Sequence, residues 1–208
     1  MRIERILKKG KANVLIEFDN NEKLILALEV FMKSGLGKND NLSVDRFSSL
    51  ITENRLFFIR QRAFRLLGRR LHSTGELRNK LLEKLYDKQL VESVIEELQL
   101  KKYLNDQDFA SQFVREKVYV KKWSRKKIYS ELIKRNIKRQ LIESVLEGNI
   151  SEDDDYKNAL IVGKKKYKTL LNRKLEKSEA RGKLITFLKM KGYSFSTIKK
   201  VCEKLIRL

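Results

Sequence analysis

Apolar positions along this chain follow two different periods. Near the N-terminus they fall in short runs, where Val14-Leu15-Ile16-Glu17-Phe18 and Lys23-Leu24-Ile25-Leu26-Ala27-Leu28 flank Asp19-Asn20-Asn21-Glu22. The flanks favour strand, and Asp and Asn tolerate left-handed turn conformations, so the pattern predicts a β-hairpin. Ile3 to Leu7 is a candidate third strand. A lone hairpin is marginal in water, so it is expected to pack on the first helices. From residue 29 onward the spacing turns helical. A short helix is expected near residues 29–33, then a loop over 35–41, and Ser43 opens a helix through Val44, Phe47, Leu50 and Ile51. From about Asn54 the helical pattern runs on to Leu71. Ser73-Thr74-Gly75-Glu76 has the form of a capping box and predicts a helix start at Ser73. Leu77, Leu81 and Leu85 then fall four apart on one face, and a further helix covers about 88–101.

The helical pattern also repeats on a longer scale. Gln89-Leu90-Val91-Glu92-Ser93-Val94-Ile95-Glu96 returns 51 residues later as Gln140-Leu141-Ile142-Glu143-Ser144-Val145-Leu146-Glu147. At the same offset Ser73, Leu77 and Leu81 align with Ser124, Ile128 and Leu132. A weaker third copy follows after 56 residues, where Ile128, Leu132, Ile137 and Ile142 map onto Leu184, Leu188, Tyr193 and Ile198. Such a period is the signature of stacked helical units, each unable to bury its apolar face alone. The second unit is expected to place helices at about 106–121, 124–135 and 138–147, the last ended by Gly148-Asn149 in a left-handed cap. The third begins at Ser151-Glu152-Asp153-Asp154-Asp155 and continues at about 156–172, 176–190 and 194–206, with Gly192 between its last two helices. The expected organisation is a β-hairpin extension with a first short helix over 1–50, then helical repeats over 51–103, 104–149 and 150–208. The fold class is thus mainly all-α, an elongated tandem array of three three-helix units with a small N-terminal hairpin.

Charge changes the picture from architecture to partner. The chain carries a formal net charge of +21, and residues 1–50 hold 9 Lys/Arg against 7 Asp/Glu, while the remainder holds 39 against 20. The positive field therefore belongs to the repeats, and it favours capture of a polyanion. No apolar run approaches the roughly 18 residues that span a bilayer, and Met1-Arg2-Ile3-Glu4-Arg5 lacks a secretory apolar core. With one cysteine, Cys202, no intrachain disulfide forms, which fits a cytoplasmic protein. Proline is absent, so helix ends rest on glycine, caps and charge.

Catalytic chemistry finds little footing. His72 is the single histidine and Cys202 is distant from it in sequence, so the two do not make a tetrahedral metal site. His72 is read as fixing the entry to the helix at Ser73, and Cys202 as core. There is no G-x-x-x-x-G-K-[ST] phosphate loop and no G-x-G-x-x-G turn. The acidic run at 152–155 reads as a solvated helix start facing the positive end of the helix dipole. The expectation is no catalytic residue, no metal, no cofactor and no enzyme activity.

Two segments resemble a known family. Arg70-Leu71-His72-Ser73-Thr74-Gly75-Glu76-Leu77-Arg78-Asn79-Lys80-Leu81 is similar to the R-x-H/Y-S-x-x-E-L-x-x-K-L stretch of RecX proteins, and Tyr103-Leu104-Asn105-Asp106-Gln107-Asp108-Phe109-Ala110 resembles their G-Y-L-D-D-x-x-F-A segment. Arg115 falls where that family usually has arginine, and Lys191-Gly192-Tyr193 resembles the R-G-F near its C-terminus. The resemblance covers about residues 56–207. Lys102 stands in place of a glycine before Tyr103, Asn105 in place of the first aspartate, Asn136 in place of a glycine before Ile137, and Trp123 where glycine is common. These departures concern turns between helices. The resemblance implies a monomeric regulator that binds in the groove of the RecA–DNA filament and mostly inhibits it, lowering ATP hydrolysis, strand exchange and cleavage of the SOS repressor. It also implies DNA as a secondary partner, single- or double-stranded, and no membrane.

The candidate contact residues are basic and lie in three clusters. Arg69, Arg70, Arg78 and Lys80 surround the first motif. Arg115, Lys121, Lys122, Arg125, Lys126 and Lys127 cluster about Tyr119 and Trp123. Lys164, Lys165, Lys166 and Lys168, with Arg173 and Lys174, form the third. Basic clusters with nearby aromatics suit phosphate backbones and unpaired bases, although Tyr119 and Trp123 also suit a core. The competing reading is a general nucleic-acid-binding helical array that acts without RecA.

Overall fold

The computed structural model describes residues 1–173 and 175–206, apart from the Glu152 side chain. Lys174 of the third basic cluster lies outside the described residues. Contacts divide the chain into two compact units, the first holding residues 1–71 and 77–103, the second residues 72–76 and 104–208.

The first unit opens with three strands, β1 (Ile3–Lys9), β2 (Asn13–Phe18) and β3 (Lys23–Ala27), in an antiparallel meander of order β1-β2-β3. Alternation does the sorting, because Val14, Ile16, Phe18, Leu24 and Leu26 point inward and are buried. Asn21 (φ 65) and Gly10 (φ 67) supply the left-handed residues at the two turns. The expected hairpin is present, and the candidate third strand joins it. Helix α1 (Leu28–Ser34) follows, and α2 (Val44–Leu67) runs for 24 residues from its Ser43 cap. The first turns of α2 cover the sheet, with Phe47 edge-on to Phe18 at 5.5 Å and Leu50 fully buried. Asn54 closes the open edge of β3, its amide donating to the Ile25 carbonyl (3.0 Å) and its carbonyl accepting the Ala27 N–H (2.8 Å). Farther along, α2 packs against α4 (Lys88–Leu100), and Ile59, Ala63, Val91, Val94 and Ile95 are buried. Helix α3 (Thr74–Leu82) precedes α4 in the chain.

The second unit repeats a three-helix plan twice. In the first set are α5 (Asp106–Arg115), α6 (Arg125–Ile133) and α7 (Arg139–Glu147), in the second α8 (Glu152–Leu171), α9 (Lys177–Met190) and α10 (Phe195–Ile206). Phe109, Phe113, Ile128, Leu132, Ile142 and Val145 form one core, and Leu184, Leu188, Tyr193, Ile198, Val201 and Cys202 form the other. The aligned apolar positions of the sequence repeat are thus the buried positions of each set.

Three expectations need correction. Leu85 does not join Leu77 and Leu81 in the core but is 95% exposed, at φ 59. The helix stops at Leu82, and the left-handed turn residue faces outward. The position recurs, because Asn136 (φ 58) and Gly192 (φ 88) occupy the equivalent turns of the two later sets. There the Ile137 N–H reaches back to the Leu132 carbonyl and the Tyr193 N–H to the Leu188 carbonyl, the long-reach bond of a helix-ending left-handed motif. Second, Gly148 is right-handed (φ −72) rather than left-handed. The Asn149 side-chain amide donates to the Val145 carbonyl (2.8 Å) and the Ile150 N–H to the Leu146 carbonyl (2.9 Å), so the carbonyls ending α7 are satisfied without a left-handed residue. Third, the helix expected over 106–121 is regular only to Arg115, and a π-helical turn takes over at Glu116–Val120.

Candidate functional site

The second unit contains one junction built twice. Ser73 and Ser124 are both fully buried at helix N-caps. The Ser73 hydroxyl accepts the Glu76 N–H (3.0 Å) and donates to the Arg135 carbonyl (2.7 Å). The Ser124 hydroxyl accepts the Lys127 N–H (3.2 Å) and donates to the Gly192 carbonyl (2.7 Å). A carboxylate from a first helical turn completes each copy. Asp106 accepts the Thr74 N–H (2.7 Å), and Asp155 accepts the Arg125 N–H (2.9 Å). These aspartates satisfy N–H groups that helix starts leave open. Backbones approach closely here. A Cβ on Gly75 would strike the Asn136 side chain, and one on Gly192 would sit 2.5 Å from the Lys127 Cβ. The glycine lies on opposite sides of the two junctions, which explains why Asn136 is accepted where Gly192 is required. His72, the residue before the first cap, is buried.

The segment 121–123 is fastened from the turn that follows α9. The Lys191 ammonium donates to the Lys121 carbonyl (2.6 Å), and the Tyr193 hydroxyl to the Lys122 carbonyl (2.8 Å). Burial, with Lys127 and Lys121 nearby, lowers the Lys191 pKa, and burial raises that of Tyr193. Burial also holds the Asp155 carboxyl above its usual range, against the opposing pull of the Arg125 N–H.

These contacts sort the fourteen candidate residues into structural and exposed groups. Arg78 is engaged by Glu92, its Nε lying 2.8 and 3.0 Å from the two carboxylate oxygens. Lys127 donates to the Met190 carbonyl and lies 4.4 Å over the Trp123 ring. Lys166 lies 5.5 Å over Phe187. These three cations are engaged by neighbouring side chains or backbone of the fold. Arg69, Arg70, Arg115, Lys121, Lys126, Lys164, Lys165 and Lys168 are exposed, while Lys80, Lys122 and Arg125 are half-buried. Arg70 donates to the Leu71 carbonyl (2.8 Å). Arg125 and Lys126, with Tyr129, Glu143, Leu146 and Asp155, line an open groove of about 470 Å³.

On α8, Lys157, Ile161, Lys164, Lys165 and Lys168 recur at three- and four-residue spacing and are all exposed, forming one basic stripe. Lys157 was missed in the sequence because it stands outside the lysine run. The aromatics also separate. Trp123 packs against the α5–α7 core and is covered by Lys117 (5.3 Å) and Lys127. Tyr119 is 55% exposed. Cys202 is buried in the α8–α10 core, as read from the sequence. Among the described residues no helix is long and apolar enough to cross a membrane.

Comparison with known proteins places this architecture. Residues 60–98 match the model of the first three-helix domain of RecX, 105–146 the second and 152–202 the third. A regulatory protein RecX of Clostridium botulinum strain Alaska E43 is 27% identical over 199 residues, covering 96% of this chain and 92% of its own length. One from Clostridium acetobutylicum is 27% identical over 199 residues, covering 95% and 92%. A crystal structure of a regulatory protein RecX superposes with a TM-score of 0.66 at 19% identity over 97% of this chain and 98% of its own. That of RecX from Lactobacillus salivarius gives 0.58 at 18% identity over 75% and 99%. With all three of its helical domains present in order, the chain belongs to the RecX family.

Proposed function

We propose that this protein regulates the RecA recombinase, chiefly as an inhibitor, by binding the RecA–DNA filament through the basic faces of its helical units. In this reading it acts as a cytoplasmic monomer without a cofactor and without catalysis of its own. DNA is a secondary contact. The observation that supports it most is membership of the RecX family across the three helical domains, taken with the curated relatives' description as regulatory proteins. The charge supports it too, since the chain carries +21, with the excess in residues 51–208. A filament of protein on DNA presents both polyanion and protein surface, and a basic array suits such a partner. The recurrent units proposed for these contacts are 51–103, 104–149 and 150–208. Within them the exposed residues Arg69, Arg70, Arg115, Lys121, Lys126, Lys164, Lys165 and Lys168 are the proposed contacts, whereas Arg78, Lys127 and Lys166 serve the fold.

Co-sedimentation with preformed filaments of the cognate RecA on single-stranded DNA tests this reading. The protein is expected to pellet with the filament, and to remain with it at salt that releases it from naked DNA, because apolar protein–protein anchors resist screening. Release from filaments and from naked DNA at the same salt concentration would overturn it in favour of a general nucleic-acid binder.

A further inference from the structure

The π-helical turn Glu116–Val120 presents an aromatic residue, Tyr119, that stays more than half exposed. An uninterrupted α-helix would carry residue 121, seven positions beyond the buried Val114, back toward the core. Instead the turn closes with the Lys121 N–H on the Glu116 carbonyl (3.1 Å), and burial ends at Val118. Tyr119 and Val120 are left 55% and 70% exposed, followed by exposed Lys121.

The exposed ring is held in place. The Tyr119 hydroxyl donates to the Asn149 carbonyl (3.2 Å), and Arg115, one turn earlier on the same face, donates from Nε to the Asn149 side-chain oxygen (3.4 Å). Asn149 is itself anchored by its amide on the Val145 carbonyl (2.8 Å). The local acid, Glu116, is paired with Lys117 (2.7 Å), whose ammonium also lies 4.9 Å over Phe113. Arg115, held by the same asparagine, is therefore the cation on the face of the ring. An oriented aromatic face with an exposed cation beside it is an arrangement that stacks an unpaired base and holds a neighbouring phosphate.

We propose that Tyr119, carried by the π-helical turn with Arg115 on the same face, is a stacking platform for an unpaired base of single-stranded DNA. The inference rests on the reading of DNA as a partner, but its test contains no RecA, so failure of filament regulation and failure of this site are told apart.

The experiment measures fluorescence anisotropy of a labelled thymidine 20-mer and of an abasic 20-mer, which has the same phosphates and no bases. The wild type is expected to prefer the thymidine strand about tenfold. Tyr119→Ala should bring the two strands to parity while leaving the thermal transition and the salt dependence of abasic binding unchanged. Tyr119→Phe, which keeps the ring, should keep the preference. A preference retained in a folded Tyr119→Ala variant, or absent in the wild type, would overturn the assignment. Tighter binding of a uridine 20-mer than of the thymidine 20-mer would overturn its assignment to DNA.

Discussion

Replacing Ser124 by alanine removes one hydroxyl that serves two helices. The side chain is fully buried, accepts the Lys127 N–H at 3.2 Å, and donates to the Gly192 carbonyl at 2.7 Å. Loss of an N-cap costs about 1 kcal/mol. Leaving the part-buried Gly192 carbonyl without its donor costs a further 1–3 kcal/mol or so. Together the loss is expected to be about 2–4 kcal/mol, well beyond that of a cap alone. Trp123, the chain's single tryptophan, is the neighbouring residue and packs on the core of the same helical set, so its emission reports this unit. In urea, with a slope of about 2 kcal/mol/M, the midpoint followed by that emission should fall by about 1–2 M without a change of slope. A loss of about 1 kcal/mol or less would refute the reasoning, because it would mean that the bond to Gly192 contributes nothing beyond capping.

Four further outcomes follow from the same structure. Gly192→Ala should lower the thermal midpoint sharply, costing more than about 2 kcal/mol, because φ is 88 and the new Cβ would lie 2.5 Å from that of Lys127 and 2.6 Å from the Ser124 hydroxyl; Gly182→Ala, in α9 with nothing within 4 Å, should raise stability by about 0.5–1 kcal/mol. Leu85→Gly should raise stability by about 0.5–1 kcal/mol in a denaturant titration, since the residue is 95% exposed at φ 59 and glycine relieves the left-handed strain. Asp155 carries a carboxyl whose folded pKa is raised above its unfolded value of 3.8 mainly by burial, so its ionisation works against folding at neutral pH and that penalty lifts as pH falls through the folded pKa. The stability of wild type relative to Asp155→Asn, which keeps an acceptor for the Arg125 N–H, should therefore rise as pH drops from 6 toward 4, as read by urea midpoints at each pH.

The sequence revealed the fold through positions where one residue type has one physical use. Ser73 and Ser124, aligned 51 residues apart, cap equivalent helices, and the apolar residues aligned with them are buried in equivalent cores. What escaped was decided by single backbone dihedrals and by partners distant in the chain. Leu85 continues the four-residue spacing of Leu77 and Leu81, but a left-handed turn turns it outward, and leucine gives no sign of that conformation. Asn149 replaced a left-handed glycine cap by reaching back with its side chain. The π-helical turn left no mark in the hydrophobic pattern, because Val118 fits either geometry. For the candidate contacts, charge marked the region but not the role. Arg78, Lys127 and Lys166 read like their exposed neighbours until Glu92, Trp123 and Phe187 are brought beside them. Tyr119 and Trp123 likewise share one sequence neighbourhood, yet one faces solvent and the other is covered by two ammonium groups. Local periodicity carries burial well, but it carries no information on tertiary ion pairs.

The most direct test of the account is the single-stranded-DNA-dependent ATP hydrolysis of the cognate RecA, titrated with this protein at moderate salt. The account predicts loss of hydrolysis at ratios below one protein per RecA, with Lys126→Glu weakening the effect while leaving the thermal transition in place, since that side chain is exposed. Hydrolysis unchanged up to equimolar protein, alongside tight and salt-sensitive binding to naked DNA, would contradict it.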